Sequence, residues 1–161
     1  RDGIRGMAWP ADSSSNERTH MPSLMFLMFA LFPASETAAK PEISDFLWAL
    51  DYVESRHNES AIGDGGASIG CLQISEACWR DSGLRGAWRW CLRRPYAWAV
   101  ARAYMKRYEP RAYEKHDWEY LARLWSCGPQ WSRPEVWDKG TAYWARVQKA
   151  MNDNTLRARR K

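Results

Sequence analysis

The sequence of 161 residues predicts a single α+β domain that is mostly helical. Apolar residues recur at helical spacing in several segments, whereas the glycine-rich stretch 58–70 breaks that spacing and suits a turn or a short β-hairpin. The composition, 45% hydrophobic and 27% charged, is that of a globular protein. A chain of this length buries a substantial core without needing disulfides.

The first 39 residues differ from the rest of the chain. Residues 1–20 have little apolar pattern and predict a disordered leader or a translated extension. From Met21, an apolar run at 24–32 precedes small residues at 37–39, which is typical of a signal peptide over 21–39. We therefore expect a secreted protein, extracellular or periplasmic, with a buried N-terminal helix as the alternative. The run is too short to span a bilayer.

The folded domain is predicted over residues 40–152, followed by a basic C-terminal tail at 153–161. The formal net charge of +5 suits a polyanionic partner such as bacterial cell wall, an anionic membrane or nucleic acid. No nucleic-acid-binding motif is recognisable, so no specific nucleic-acid partner is predicted.

Cysteine and histidine spacing predicts neither a metal site nor a cofactor. The four cysteines, Cys71, Cys78, Cys91 and Cys127, contain no Cys-x-x-Cys pair. In an exported protein they allow two disulfides with three possible connectivities. His57 and His116 are isolated and are expected at the surface or at helix caps.

The first predicted helix carries a carboxyl on its apolar face. Ile43, Phe46, Leu47, Leu50 and Glu54 recur at the spacing of one helical face. Burial at this position disfavours the charged form of a carboxyl and raises its pKa, as a general acid requires. The alternative is a glutamate just past the last buried turn, in contact with water.

A second carboxyl lies in the predicted hairpin. Asp64 stands between Gly63 and Gly65, and Asp-Gly is a common hairpin turn. Hydrolysis of a glycosidic bond commonly uses two carboxyls in different environments, which this pair would supply.

Further helical segments follow the hairpin. A short helix over 75–82 is closed by Gly83, and 86–92 forms another short helix or turn. Pro95 suits the first turn of a long helix that reaches Tyr108 and ends at Pro110. Its candidate buried residues are Ala99, Val100, Ala103, Tyr104 and Tyr108.

Two more helices are predicted near the C-terminus. Asp117 is a suitable N-cap for a helix from Trp118 to about Trp125, stopped by the sequence at 127–129. Thr141 is expected to cap the last helix, over 142–151. The apolar side of that helix contains Tyr143, Trp144, Val147 and Met151.

Six segments between residues 46 and 151 share the order of a known family. They are Val53-Glu54-Ser55; Asp64-Gly65 with Gly70-Cys71-Leu72-Gln73-Ile74; Cys78-Trp79-Arg80-Asp81-Ser82-Gly83; Tyr104-Met105-Lys106-Arg107-Tyr108; Glu119, Ala122 and Arg123 before Gly128-Pro129; and Tyr143-Trp144 with Val147-Gln148-Lys149. In these segments the chain resembles the invertebrate-type lysozymes and their bacterial relatives.

The resemblance implies a lysozyme-like fold with a small β-hairpin and a monomeric glycosidase without cofactor or metal. Its partner would be bacterial peptidoglycan, cleaved at the β-1,4 bond between N-acetylmuramic acid and N-acetylglucosamine. Glu54 would be the general acid, and Asp64 the nucleophile or the electrostatic stabiliser of the transition state. Ser68 and Gln73 are candidates for hydrogen bonds to substrate, and both have a structural interpretation as well.

One segment departs from the family pattern. The family usually has His-Asn-Gly-Gly-Pro in the loop after the helix of Glu119, where this chain has Trp125-Ser126-Cys127-Gly128-Pro129. Trp125 and Ser126 are therefore the candidate substrate-binding residues here, with the indole stacking on a sugar ring. The chain is also poor in cysteine compared with the animal members, like the bacterial relatives.

Two other functions fit the same segments. A lytic transglycosylase also has Glu-Ser at a helix end followed by Gly-x-x-Gln-Ile, and it would use Glu54 alone. A lysozyme-like protein without turnover would hold cell-wall glycan through its eleven tryptophans and its basic surface.

Overall fold

The structure, a computed structural model, describes residues 41–153. The predicted leader, the predicted signal peptide and the basic tail beyond Asp153 lie outside the described residues.

Within that range the chain is mostly helical, with one small antiparallel sheet. The elements are α1 (Ile43–Ser55), β1 (Ile62–Gly63), β2 (Ser68–Ile69), β3 (Ile74–Ser75), α2 (Glu76–Ser82), α3 (Arg94–Tyr108), α4 (Pro110–Lys115), α5 (Trp118–Cys127) and α6 (Pro134–Asn152). The sheet order is β1-β2-β3, with Ile69 opposite both Ile62 and Ile74. The predicted class, α+β and mostly α, is confirmed, and the predicted hairpin has a third strand that the sequence did not predict.

Helix α1 forms where its apolar stripe was predicted. Phe46, Leu47 and Leu50 have no exposed surface, so this face of α1 lies in the core. The helix begins with a capping box between Glu42 and Asp45. It ends at Arg56, whose backbone is left-handed with φ of 56°. Because α1 packs against α6, the last turn of α1 faces a helix from the far end of the chain.

The local signals for three helices are also confirmed. Ser75 caps α2 by accepting a hydrogen bond from the Cys78 N–H at 3.2 Å, and Gly83 closes the helix with φ of 72°. Pro95 lies in the first turn of α3. Asp117 accepts a hydrogen bond from the Tyr120 N–H at 3.3 Å at the start of α5.

The buried face of α3 differs in part from the prediction. Val100 and Tyr104 are buried, but Ala99, Ala103 and Tyr108 are only partly so. Ala97, Ala101 and Met105 complete the buried face instead. Alanine occurs at alternate positions from 97 to 103 and therefore fixes no face of a helix. Pro110 follows the end of α3 as predicted, but it also begins α4, which the sequence did not predict.

Helix α6 begins at Pro134, which lies about two helical turns before Thr141, the predicted cap. Proline suits the first helical position because its missing N–H has no partner there in any case. Thr141 is therefore inside the helix and not its cap, and its hydroxyl donates a hydrogen bond to the Trp137 carbonyl at 2.9 Å. Between residues 41 and 153, no helix combines the length and the apolar character needed to cross a bilayer.

All four cysteines are free thiols in this structure, and Cys71 and Cys91 are fully buried. His57 and His116 differ in their surroundings. His116 ends α4 in a left-handed conformation with φ of 56°, which is the predicted capping role. The His57 ring is not on the surface, because it packs 4.1 Å from that of Trp48 and its Nδ1 lies 3.1 Å from an Asp51 oxygen. Its backbone N–H donates to the Asp51 carbonyl at 3.3 Å at the end of α1, which agrees with the predicted capping role.

Candidate active site

A cleft of about 430 Å³ opens where the end of α1, the small sheet, α5 and α6 meet. It brings together five of the predicted site residues, which are Glu54, Asp64, Gln73, Trp125 and Ser126. Ser68 is the exception: it is 95% buried beneath the turn that carries Asp64 and does not line the cleft. A cavity of this size and openness suits a small molecule or a segment of a polymer.

Glu54 lies in the last turn of α1, where Tyr143 and Trp125 both act on its carboxyl as hydrogen-bond partners. The Tyr143 hydroxyl donates to its Oε1 at 2.5 Å. Burial raises the pKa of Glu54, and the charge of Asp64 adds a smaller effect in the same direction. Tyr143, Trp125 and Arg146 act in the opposite sense, but burial prevails. Glu54 therefore keeps its proton at a higher pH than an ordinary glutamate.

Tyr143 is the partner that the sequence did not reveal. It lies on α6 and is only 5% exposed, and burial raises its pKa well above the usual value. The phenol is therefore the hydrogen-bond donor and Glu54 the acceptor. The sequence predicted Tyr143 only as a residue on the apolar side of a helix, although a buried tyrosine hydroxyl usually needs a polar partner.

Glu54 forms no ion pair with any residue of the described chain. The guanidinium of Arg146 acts on it from beyond ion-pair distance and lowers its pKa. A salt bridge would hold the group as a carboxylate, whereas a tyrosine and a more distant charge leave proton exchange open.

Asp64 begins a tight turn, Asp64–Gly66, between β1 and β2. Its backbone is left-handed, with φ of 49°, a conformation that aspartate tolerates better than most residues. The residue is exposed, and its Oδ2 faces the Ser68 hydroxyl at 3.2 Å. The same hydroxyl lies 3.1 Å from Gln73 Oε1, so one proton is shared between two acceptors.

Ser68 and Gln73 brace the turn that carries Asp64. The Gln73 side-chain N–H donates to the Gly70 carbonyl at 2.9 Å, so both ends of its amide are engaged inside the protein. Gly63 is packed beneath this pair, and a Cβ there would collide with Gln73 Oε1 and Ser68 Oγ. The hydrogen bonds observed for both side chains are therefore internal, although Gln73 also lines the cleft.

Ser55 fixes the end of α1 to the loop that follows β2. Its hydroxyl donates to the Cys71 carbonyl at 2.9 Å and accepts from the Asn58 N–H at 3.0 Å. The residue beside Glu54 thus ties the acid-bearing helix to the chain segment that contains Gln73. The sequence showed Glu-Ser as a motif but gave no reason for the serine.

Trp125 and Ser126 belong to the last turn of α5, which continues to Cys127, rather than to a loop. Trp125 packs edge-on against Tyr104, with ring centres 6.0 Å apart at 88°. The Ser126 hydroxyl donates to the Arg123 carbonyl at 3.3 Å, as serine does within a helix. The indole is thus held by a neighbouring aromatic ring at the cleft wall.

Helix α6 also brings two cations to the cleft, Lys139 and Arg146. Together with Tyr143 they lie at positions i, i+4 and i+7, which is one face of a helix. Arg146 stands over the Tyr143 ring, with its guanidinium carbon 5.3 Å from the ring centre. The spacing was present in the sequence, but the predicted start at Thr141 left Lys139 outside the helix.

Two other chemistries find little support in the cleft. Cys78 lines it, but burial raises the pKa of this thiol to about 12, so the nucleophilic thiolate is scarce at neutral pH. Among residues 41–153, no group of three or more His, Cys, Asp or Glu side chains is arranged to hold a metal ion.

The fold and the cleft define a mostly helical α+β domain with a half-buried glutamate of raised pKa at the wall of an open cleft. Comparison with protein-family models, with curated proteins and with solved structures found no match for this chain.

Proposed function

We propose that this protein is a lysozyme-type glycoside hydrolase that cleaves the β-1,4 bond between N-acetylmuramic acid and N-acetylglucosamine in peptidoglycan. The observation that carries the proposal is the half-buried Glu54, whose pKa is raised by desolvation in a cleft that also contains Asp64. General acid catalysis of glycoside cleavage needs a carboxyl that stays protonated near neutral pH and a second that stays ionised.

In the proposed reaction Glu54 protonates the glycosidic oxygen as the bond to the sugar breaks. The Tyr143 hydroxyl holds Oε1 at 2.5 Å and so limits the rotation of the carboxyl. Once the proton has left, the same hydroxyl and the charge of Arg146 stabilise the carboxylate, because both lower the pKa of Glu54. The site thus favours the protonated acid through burial and tolerates its ionised form after transfer.

Asp64 would act as nucleophile or as electrostatic stabiliser of the oxocarbenium-like transition state. Its exposed side chain shares one hydroxyl proton with Gln73 and has no cation paired with it among the described residues. No cation of the described chain is therefore paired with this side chain where a positive charge would develop on the sugar.

The substrate class is supported by the six segments that resemble the invertebrate-type lysozymes and their bacterial relatives. The partly buried indole of Trp125 at the cleft wall suits stacking on a sugar ring, and Lys139 and Arg146 suit an anionic polymer. Because peptidoglycan lies outside the cytoplasm, the proposal includes export, with residues 21–39 as the signal peptide.

The direct test is to incubate purified peptidoglycan with the protein and to identify the products by mass spectrometry. The proposal expects soluble fragments with reducing muramic acid ends, and a loss of about 10³-fold in their rate of release with Glu54→Gln. Glu114→Gln, which changes an exposed glutamate on α4 outside the cleft, is the matched control and should retain the rate. Equal rates for wild type and Glu54→Gln would contradict the proposal.

A lytic transglycosylase is the second candidate, favoured by the fact that the Glu54–Tyr143 pair is complete without Asp64. It would leave 1,6-anhydro ends in place of reducing ends, and Asp64→Asn would leave its rate intact. A loss of about 10²-fold or more with Asp64→Asn, with reducing products from the wild type, favours the hydrolase. Glycan retention without any product would instead indicate a binding protein.

A further inference from the structure

We propose that a second cavity, beside the cleft, binds carboxylates of the peptide stems of peptidoglycan. Its volume is about 410 Å³. It is lined by Tyr52, Val53, Arg56, Arg146, Lys149, Ala150 and Asp153. The identity of the ligand rests on the proposed function, because peptide stems occur on the muramic acid of that substrate.

The cavity is lined by three cations. Arg56, Arg146 and Lys149 form no ion pair with any residue of the described chain. Elsewhere in the same range, Arg80, Arg94 and Arg123 each pair with a glutamate or an aspartate. Three positive side chains line the cavity beside Asp153, the one acidic residue of its lining within residues 41–153, and this excess of positive charge suits an anion.

The two arginines are held by aromatic rings. The Arg56 guanidinium lies 4.3 Å from the centre of the Tyr52 ring, and that of Arg146 lies 5.3 Å from the centre of the Tyr143 ring. Stacking of this kind restricts a long side chain without using its N–H donors. The donors of both guanidinium groups remain for a ligand, and their planar fork matches the two oxygens of a carboxylate.

The cavity and the cleft share a wall. Arg146 lines both, and Val53 of the cavity is the chain neighbour of Glu54 in the cleft. A muramic acid bound next to Glu54 carries its peptide on the lactyl group, and that peptide must leave the cleft. The cavity beyond Arg146 offers a basic surface to the peptide stem where it extends out of the cleft.

Phosphates of wall teichoic acid are also anionic, but the peptide carboxylates are the better match. They recur along the proposed glycan substrate and are attached to the sugar whose bond is cleaved. Arg56 and Lys149 would then contribute to recognition of the peptide, while Glu54 and Asp64 act on the glycan.

The test measures binding without turnover. The full chain carrying Glu54→Gln is sedimented with peptidoglycan freed of teichoic acid, either native or with its carboxylates converted to amides. We expect about tenfold tighter binding to the native wall. Adding Arg56→Gln and Lys149→Gln should reduce affinity for the native wall to that for the amidated wall, and Lys149→Gln alone should give about a threefold loss.

The matched control removes two exposed charges on α4, Arg111→Gln and Lys115→Gln, which line neither cavity. It should keep the full preference for the native wall, which separates this site from the effect of net charge. The proposal is overturned if the Arg56/Lys149 variant keeps the preference, or if the control loses it equally. A preference seen only on walls that retain teichoic acid would assign the site to phosphate.

This experiment and that of the proposed function fail independently. Carboxylate-dependent binding without released reducing ends would remove the hydrolase proposal and leave the second site standing. Reducing ends without carboxylate-dependent binding would do the reverse.

Discussion

Two carboxyls three residues apart on α1 have opposite surroundings. Asp51 is fully buried, and its oxygens lie 2.7 Å from the Arg94 Nε and 3.1 Å from the His57 Nδ1. Glu54, one turn further along, forms no ion pair in the described chain and is held by the neutral hydroxyl of Tyr143. The first joins α1 to the start of α3, and the second faces the cleft.

The difference shows what separates a structural carboxyl from a reactive one in this fold. Arg94 also donates to the His57 carbonyl at 2.9 Å and pairs with Glu59 at 3.1 Å, so Asp51 belongs to a network that closes the end of α1. Glu54 has hydrogen-bond partners in Tyr143 and Trp125 but forms no ion pair within the described chain, so burial prevails and raises its pKa. The role of each carboxyl therefore depends on the side chain that meets it from another helix, which is Arg94 of α3 for Asp51 and Tyr143 of α6 for Glu54.

The largest expected effect on stability follows from breaking the Asp51 network. Asp51→Asn leaves the Arg94 charge without its closest partner, and we expect a loss of about 3 kcal/mol in the free energy of unfolding. Denaturant titration measures this loss. Glu76→Gln is the control, since the Glu76–Arg80 pair is exposed and its removal should change stability by less than about 0.5 kcal/mol. Similar losses for both variants would contradict the comparison.

The stability effect of Glu54→Gln should have the opposite sign and should depend on pH. The folded protein holds the Glu54 proton more tightly than the unfolded chain does, in which the pKa of a glutamate is 4.5. Wild type therefore loses stability as pH rises from that value through the raised pKa, by about 1.4 kcal/mol for each unit of the increase. Glutamine does not ionise, so the variant should match wild type at pH 4 and exceed it at pH 8.

If the difference in unfolding free energy between Glu54→Gln and wild type stays constant from pH 4 to pH 8, burial does not raise the Glu54 pKa. Unfolding free energies at both pH values, measured in the same buffer strength, are sufficient for this comparison.

Tyr143→Phe sharpens the account of Glu54 itself. Loss of the hydrogen bond to Oε1 removes an interaction that lowers the Glu54 pKa, so the alkaline limb of the pH–rate profile should move to higher pH. We also expect about a tenfold fall in kcat, because the carboxyl loses its orientation. Tyr120→Phe, at a 46% exposed position, is the control and should change neither quantity. A shift of the limb to lower pH would contradict the assigned role.

The smallest expected effect concerns Ser55. Ser55→Ala removes the hydrogen bond to the Cys71 carbonyl and the acceptor of the Asn58 N–H, at a cost of about 1 kcal/mol in stability. If this link positions the two carboxyls, the rate of glycan cleavage should fall several-fold in protein that is still folded. Thermal unfolding and the cleavage assay on one preparation separate the two contributions. A stability loss with an unchanged rate would limit Ser55 to a structural role.

Local signals predicted much of the fold. The apolar stripe of α1, the closing Gly83 of α2, the cap Asp117 and the proline of α3 are all short-range features, and each was found at its predicted place. The predicted start of α6 was wrong. Thr141 was chosen because threonine is a common cap, but the helix begins seven residues earlier, at Pro134. There the first helical position was marked by proline instead.

Local sequence signals could predict only part of the candidate site. Glu54 could be placed on a buried face by periodicity, but Tyr143 lies 89 residues further along the chain and meets it only through the packing of α1 on α6. No spacing rule links residues so far apart. The same holds for Arg146, which joins the cleft to the second cavity.

The most direct test of the contrast on α1 is the rate at which reducing ends are released from purified peptidoglycan by wild type, Glu54→Gln and Asp51→Asn. The rates are compared per folded molecule, at a temperature where each variant is folded. The account predicts a fall of about 10³-fold for Glu54→Gln and less than about tenfold for Asp51→Asn. A Glu54→Gln protein that retains the wild-type rate, or equal losses in the two variants, would contradict it.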